Sequence, residues 1–105
     1  MADLSTIAGV PGVKSAVLSD RNGGFIDALR ESDPESVSAV TAFMTDALGP
    51  IGEGLGLGPL TRLAFTGPTR AWLVVLHGQV VLSVAVEPPT AFSSVERALD
   101  AGARR

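Results

Sequence analysis

Two apolar runs joined by one short turn constrain this chain most: "RAWLVVLH" at 70–77 and "QVVLSVAVE" at 79–87. Successive side chains of a strand point to opposite faces, so "WLVVL" and "VVLSVAV" present apolar groups on both. Such strands need cover on each side, which an antiparallel sheet obtains only when helices lie against both faces. His77-Gly78 leaves room for a tight hairpin and little else, so the two runs are neighbours in one sheet. The longest apolar run, "AWLVVL", is far short of the roughly 20 residues that cross a bilayer, so no membrane insertion is expected.

The remaining elements follow from local signals. Asp3 can cap a short first helix carrying Leu4 and Ile7, which Pro11-Gly12 closes after about ten residues. "VKSAVLS" (13–19) alternates as a strand, Asn22-Gly23 supplies a hairpin turn, and "FIDAL" (25–29) returns. "SDPES" is the clearest helix start: Asp33 as N-cap, Pro34 in the first turn, Glu35 against the positive end of the dipole. In the helix it opens, 34–52, Val37, Val40, Phe43, Met44, Ala47, Leu48 and Ile51 form one broad stripe, which is expected to face the core. The opposite side holds Ser38, Ala39, Thr41, Ala42, Thr45 and Asp46, with no lysine, arginine or glutamate between Ser36 and Gly52. Solvated helix faces usually carry such charges, so this small-residue face is expected to be covered by a partner. "LTRLAFT" (60–66) is a further strand, and Phe92, Val95 and Leu99 mark a last helix. The order is α-β-β-α-β-β-β-α, read as a single domain over 1–105.

Several chemistries are excluded. The glycine-rich stretch "GPIGEGLGLGPL" (49–60) leaves a helix and enters a strand, the reverse of a phosphate-binding loop, and no lysine is near. It reads as a helix C-cap running into an adaptable turn. A net charge of −3 with Lys14 the only lysine gives no patch for nucleic acid. The chain has no cysteine, a lone histidine in a turn, and acids that cap turns and helix ends, so no metal, no cofactor, no small-molecule substrate and no enzymatic activity are expected. "MADLSTIAGV" lacks the basic start and long apolar stretch of a signal peptide, so the expected location is cytoplasmic. Arg21 and Arg70 stand in turns, where an arginine can be offered to a phosphoryl group on a partner.

Taken together, "GVPGVKSAVLSDRNGGFIDAL", the capped helix and "LGLGPLTRLAFTGPTRAWLVVLHGQVVLSVAV" resemble the roadblock family, small domains related to dynein light chains of that type. The likeness covers about residues 4–100. Its marks are Pro11-Gly12-Val13 before the first strand, Asp20 with Gly23 in the first hairpin, Gly56 and Gly58 before the third strand, and the closing β-β-α. The resemblance implies an α+β fold: a three-layer α-β-α sandwich whose five-stranded antiparallel sheet carries the long helix on one face and the terminal helices on the other. It also implies a homodimer in which third strands pair edge to edge and the long helices lie side by side. Candidate dimer residues are then Ser38, Ala39, Thr41, Ala42, Thr45 and Asp46 on the helix and Leu60, Arg62 and Ala64 on the strand. Prokaryotic members are commonly associated with small Ras-like GTPases, often in cell polarity or motility, which implies such a GTPase as partner, with Arg21, Glu53 and Arg70 as candidate contacts. The expected function is a regulator or scaffold acting on the GTPase's nucleotide state. The alternative is a self-associating adaptor with no GTPase contact.

Overall fold

The computed structural model describes residues 4–103. The elements are α1 (Leu4–Ile7), β1 (Val13–Asp20), β2 (Phe25–Leu29), α2 (Pro34–Gly54), β3 (Arg62–Thr66), β4 (Ala71–His77), β5 (Val80–Val86), a short 3-10 helix (Pro89–Ala91) and α3 (Phe92–Ala103). This is the order read from the sequence, except that α1 ends at Ile7, short of the Pro11-Gly12 stop expected. Asp3, its expected cap, lies outside the described residues. Local chemistry accounts for the two sharpest boundaries. The Asp20 carboxylate accepts from the backbone N–H of Asn22 at 2.8 Å and of Gly24 at 2.9 Å, closing the β1–β2 turn around Gly23 at φ 91. Asp33 accepts from Ser36 N–H at 3.3 Å and starts α2.

All five strands pair antiparallel in the order β2-β1-β5-β4-β3. On one face Ala16, Leu82, Val84 and Val86 pack with Leu4 and Ile7 of α1 and Val95 of α3. Alternation places Ser15, Val17, Ser19, Val81, Ser83, Ala85, Trp72, Val74, Leu76, Leu63 and Phe65 on the other. There α2 lies over β1, β2 and β5. The result is the expected three-layer α-β-α sandwich. Gly12 makes one close approach possible: at φ +95, a Cβ there would stand 2.8 Å from Ala91 Cβ, so the chain enters β1 directly against the start of α3.

The orientation of α2 corrects the reading from periodicity. Val40, Phe43 and Ile51 are exposed at 54%, 73% and 58%. Ala47 is exposed and Val37, Met44 and Leu48 are only half-buried, whereas the buried residues are Ser38, Thr41, Ala42 and Thr45. Close packing is the cause. Ala39 Cα and the Ser38 carbonyl oxygen lie 3.6 Å from where a Cβ on Gly23 would stand, and bulky side chains would hold the helix off the β1–β2 turn. The sheet below is also small, with Ser15, Ser19, Ser83 and Ala85 buried. The helix hydroxyls need no partner from it. Ser38 donates to the Pro34 carbonyl at 2.8 Å, Thr41 to Val37 at 2.9 Å and Thr45 to Ala42 at 2.9 Å.

Candidate functional site

With its small face turned inward, α2 presents a stripe outward. Val40, Phe43, Ala47 and Ile51 recur at i, i+3, i+7 and i+11, on the side opposite Ser38, Thr41, Ala42 and Thr45. The stripe continues into Leu55 and Leu57, exposed at 72% and 73%. Isolated exposed apolar residues are ordinary, but a run of large ones along one helix marks an interaction surface. Beside it lies a groove. Because α2 sits over β1, β2 and β5, the sheet face at Phe65 of β3 and Trp72 of β4 is only half-covered, while Val74 and Leu76 beside them are buried. A cavity of about 300 Å³ is left there, lined chiefly by Val37, Val40, Met44, Phe65, Trp72 and Val74. The two-sided cover required by the apolar strands is therefore met for β5, buried from Val81 to Val86, and incomplete at Trp72 of β4 and at Leu63 and Phe65 of β3.

The sheet has two edges, and they differ. On β2 the register shifts between Leu18 and Ser19 of its neighbour, and Asp27 sits in the strand, both features that discourage pairing with another chain. β3 is regular over its whole length. Leu76 N–H donates to the Thr61 carbonyl at 2.9 Å and Gly67 N–H to the Arg70 carbonyl at 2.8 Å. Hydrogen-bonded pairs alternate in an antiparallel ladder, so the odd residues of β3 bond β4, and Arg62, Ala64 and Thr66 direct their backbone N–H and C=O to the free edge.

Against this geometry the residues expected from the sequence divide. Ser38, Thr41, Ala42 and Thr45 are covered by the chain's own sheet, so the small-residue face is closed within one chain and is not open to a second; Ala39 and Asp46 are exposed on its flank. Leu60 is half-buried against Val74, Leu76 and Val81, and Ala64 is exposed with its backbone at the free edge. Arg62 is held by α3. Its guanidinium reaches Glu96 at 2.8 Å and Asp100 at 2.7 Å, and the hydrogen bonds to Asp100 and then Glu96 raise its pKa above the usual arginine value. Arg21 donates to the Gly78 carbonyl and Arg70 pairs with Glu87, at opposite ends of β4, so the structure does not bring these arginines together. Glu53 is exposed in the last turn of α2. From Glu31 to Thr61 the chain carries Glu31, Asp33, Glu35, Asp46 and Glu53 and no basic residue.

Sequence reasoning missed the outward stripe and the groove. It found the two faces of α2 but assigned them the wrong way round; the Gly23 turn beneath the helix was the available signal. Among the described residues no group of acids and His is placed to hold a metal, and no helix is long and apolar enough to cross a membrane.

No family model matches the chain, and neither does any curated protein. Solved structures do. MglB of Myxococcus xanthus superposes with a TM-score of 0.80 at 21% identity, covering 90% of this chain and 80% of that one. The gliding protein MglB of Thermus thermophilus gives 0.80 at 15% identity, covering 92% and 76%. A Roadblock/LC7 domain from Streptomyces avermitilis gives 0.72 at 13% identity, covering 97% and 94%. Helix placement and strand order, together with these superpositions, establish that the chain has the roadblock fold.

Proposed function

We propose that this protein is a non-enzymatic homodimeric regulatory module that docks a small Ras-like GTPase and influences its nucleotide state. The observation that carries the dimer is the coincidence, on one side of one chain, of an open apolar groove, an outward apolar helix stripe and an unprotected strand edge. A second copy related by a two-fold axis through Ala64 meets all three. Strand residues that face each other must lie on the same side of the sheet, so Arg62 comes opposite Thr66 of the copy and Ala64 opposite its own equivalent. Every free N–H and C=O of Arg62, Ala64 and Thr66 then has a partner. An axis through Arg62 instead would set two guanidiniums face to face. The antiparallel arrangement also carries the far end of the second α2, with Ile51 and Leu55, across the groove at Phe65 and Trp72. Each large side chain so covered contributes roughly 1.5–3 kcal/mol.

The paired α2 helices and the adjoining turns form the surface offered to the GTPase. Support for that partner is the roadblock fold itself, together with a gliding protein among its structural neighbours. Arg21 and Arg70 are engaged within their own chain, which favours action by surface contact over a donated arginine. The test is a pull-down of small GTPases loaded with GDP or with a non-hydrolysable GTP analogue. Preferential capture of one state by the dimer supports regulation. Capture of neither, with the dimer intact, leaves the adaptor reading in its place.

A further inference from the structure

We infer that α2 divides into an anchored half, residues 34–45, and a second half that, with the turn after it, makes a detachable extension, residues 46–58, which becomes ordered only when another molecule covers it. Every buried residue of the helix lies at or before Thr45. Beyond that point the sequence turns against helix. Pro50 has no N–H for the Asp46 carbonyl, and Gly49, Gly52 and Gly54 each raise the entropy lost on ordering.

Those glycines are not there for space or for backbone angle. A Cβ at Gly49, Gly52 or Gly54 would meet nothing within 4 Å, and none of the three has a positive φ, unlike Gly56 and Gly58. Alanine would fit at each. What glycine supplies is a low tendency to stay helical. The backbone bonds that finish the segment, from Leu55 to Ile51 and Gly52 and from Leu57 to Gly52, lie wholly inside it and do not tie it to the sheet. Ile51, Leu55 and Leu57 project outward. Helices of this length persist through tertiary packing rather than propensity, and here propensity is low and Leu48 alone among the large side chains is even half-buried.

The far end of the apolar stripe is therefore completed by assembly. A partner that reads the stripe past Ala47 meets a finished surface only on the covered form, which makes recognition conditional on the pair. The identity of the covering molecule rests on the proposed dimer; the weakness of the extension does not.

Amide hydrogen exchange separates the two claims. In the full chain carrying Ala64→Pro, which removes the central free-edge N–H and so blocks edge pairing, amides of 51–57 are expected to exchange at least about a hundredfold faster than those of 38–45. The unmodified chain followed over a dilution series gives the same comparison without relying on that variant. On self-association the 51–57 amides slow by at least about tenfold. Adding Gly49→Ala and Gly52→Ala to the Ala64→Pro chain slows them by about twenty-five-fold, from roughly fivefold at each site. Rapid exchange of 46–58 at every concentration, with no self-association, retains the detachable extension and removes the dimer. Equal protection of both halves in the monomeric chain overturns the inference.

Discussion

Ala42 and Phe43 are adjacent in the chain and face opposite sides of α2: Ala42 is 8% exposed, packed toward Gly23 of the β1–β2 turn, and Phe43 is 73% exposed. The more apolar of the two is the one left outside. Substitutions at these positions are therefore expected to separate folding from association. Ala42→Arg forces a charge between helix and sheet and costs about 2–4 kcal/mol in urea unfolding at dilute concentration. Phe43→Asp leaves that stability within about 0.5 kcal/mol and weakens self-association at least about tenfold in sedimentation.

Glycines with and without a structural reason predict opposite signs. Gly12→Ala meets Ala91 Cβ at 2.8 Å in a positive-φ conformation and is expected to destabilise by about 2 kcal/mol. Gly49→Ala stands in open space within the helix and is expected to stabilise by up to about 1 kcal/mol. Thermal unfolding of the two variants beside the parent checks both.

Removing Arg62 detaches the edge strand from α3. Its ion pairs with Glu96 and Asp100 are partly exposed, with side chains 37%, 35% and 41% accessible, so Arg62→Ala is expected to cost about 0.5–1 kcal/mol, less in high salt. Asp100 and Glu96 raise the arginine's pKa, so its contribution is fully present below the unfolded value and disappears only as the solution passes into the strongly alkaline range. Stability curves of parent and variant measured between about pH 6 and about pH 10 should show no slope arising from Arg62 itself.

Trp72 is the sole tryptophan and lines the groove beside α2. Covering the groove takes its indole out of water, so its emission is expected to move to shorter wavelength as the chain is concentrated, and to stay fixed in Phe43→Asp. A fluorescence titration over the association range measures this.

What the sequence revealed and what it hid have a common physical basis. The succession of elements along the chain, the hairpin at Asn22-Gly23 and the start of α2 at Asp33 depend on neighbours in sequence, and the structure reproduces them. The doubly apolar β4 and β5 gave the need for cover on two faces. Periodicity showed that α2 has a bulky side and a small side, but not which one meets the sheet. That choice depends on how near Gly23 comes to Ala39 and Ser38, a contact between distant segments. The groove was hidden for the same reason: Phe65 and Trp72 meet only through the β3–β4 register, and their exposure is decided by where α2 comes to rest.

Sedimentation velocity of the unmodified chain and of Ala64→Pro, each from nanomolar to high micromolar concentration, decides whether two copies join through the β3 edge. The unmodified chain is expected to reach twice its 10.7 kDa mass while Ala64→Pro, still folded, remains at the single-chain mass. A single-chain mass for the unmodified protein throughout, or a doubled mass that survives the proline, would contradict this pairing.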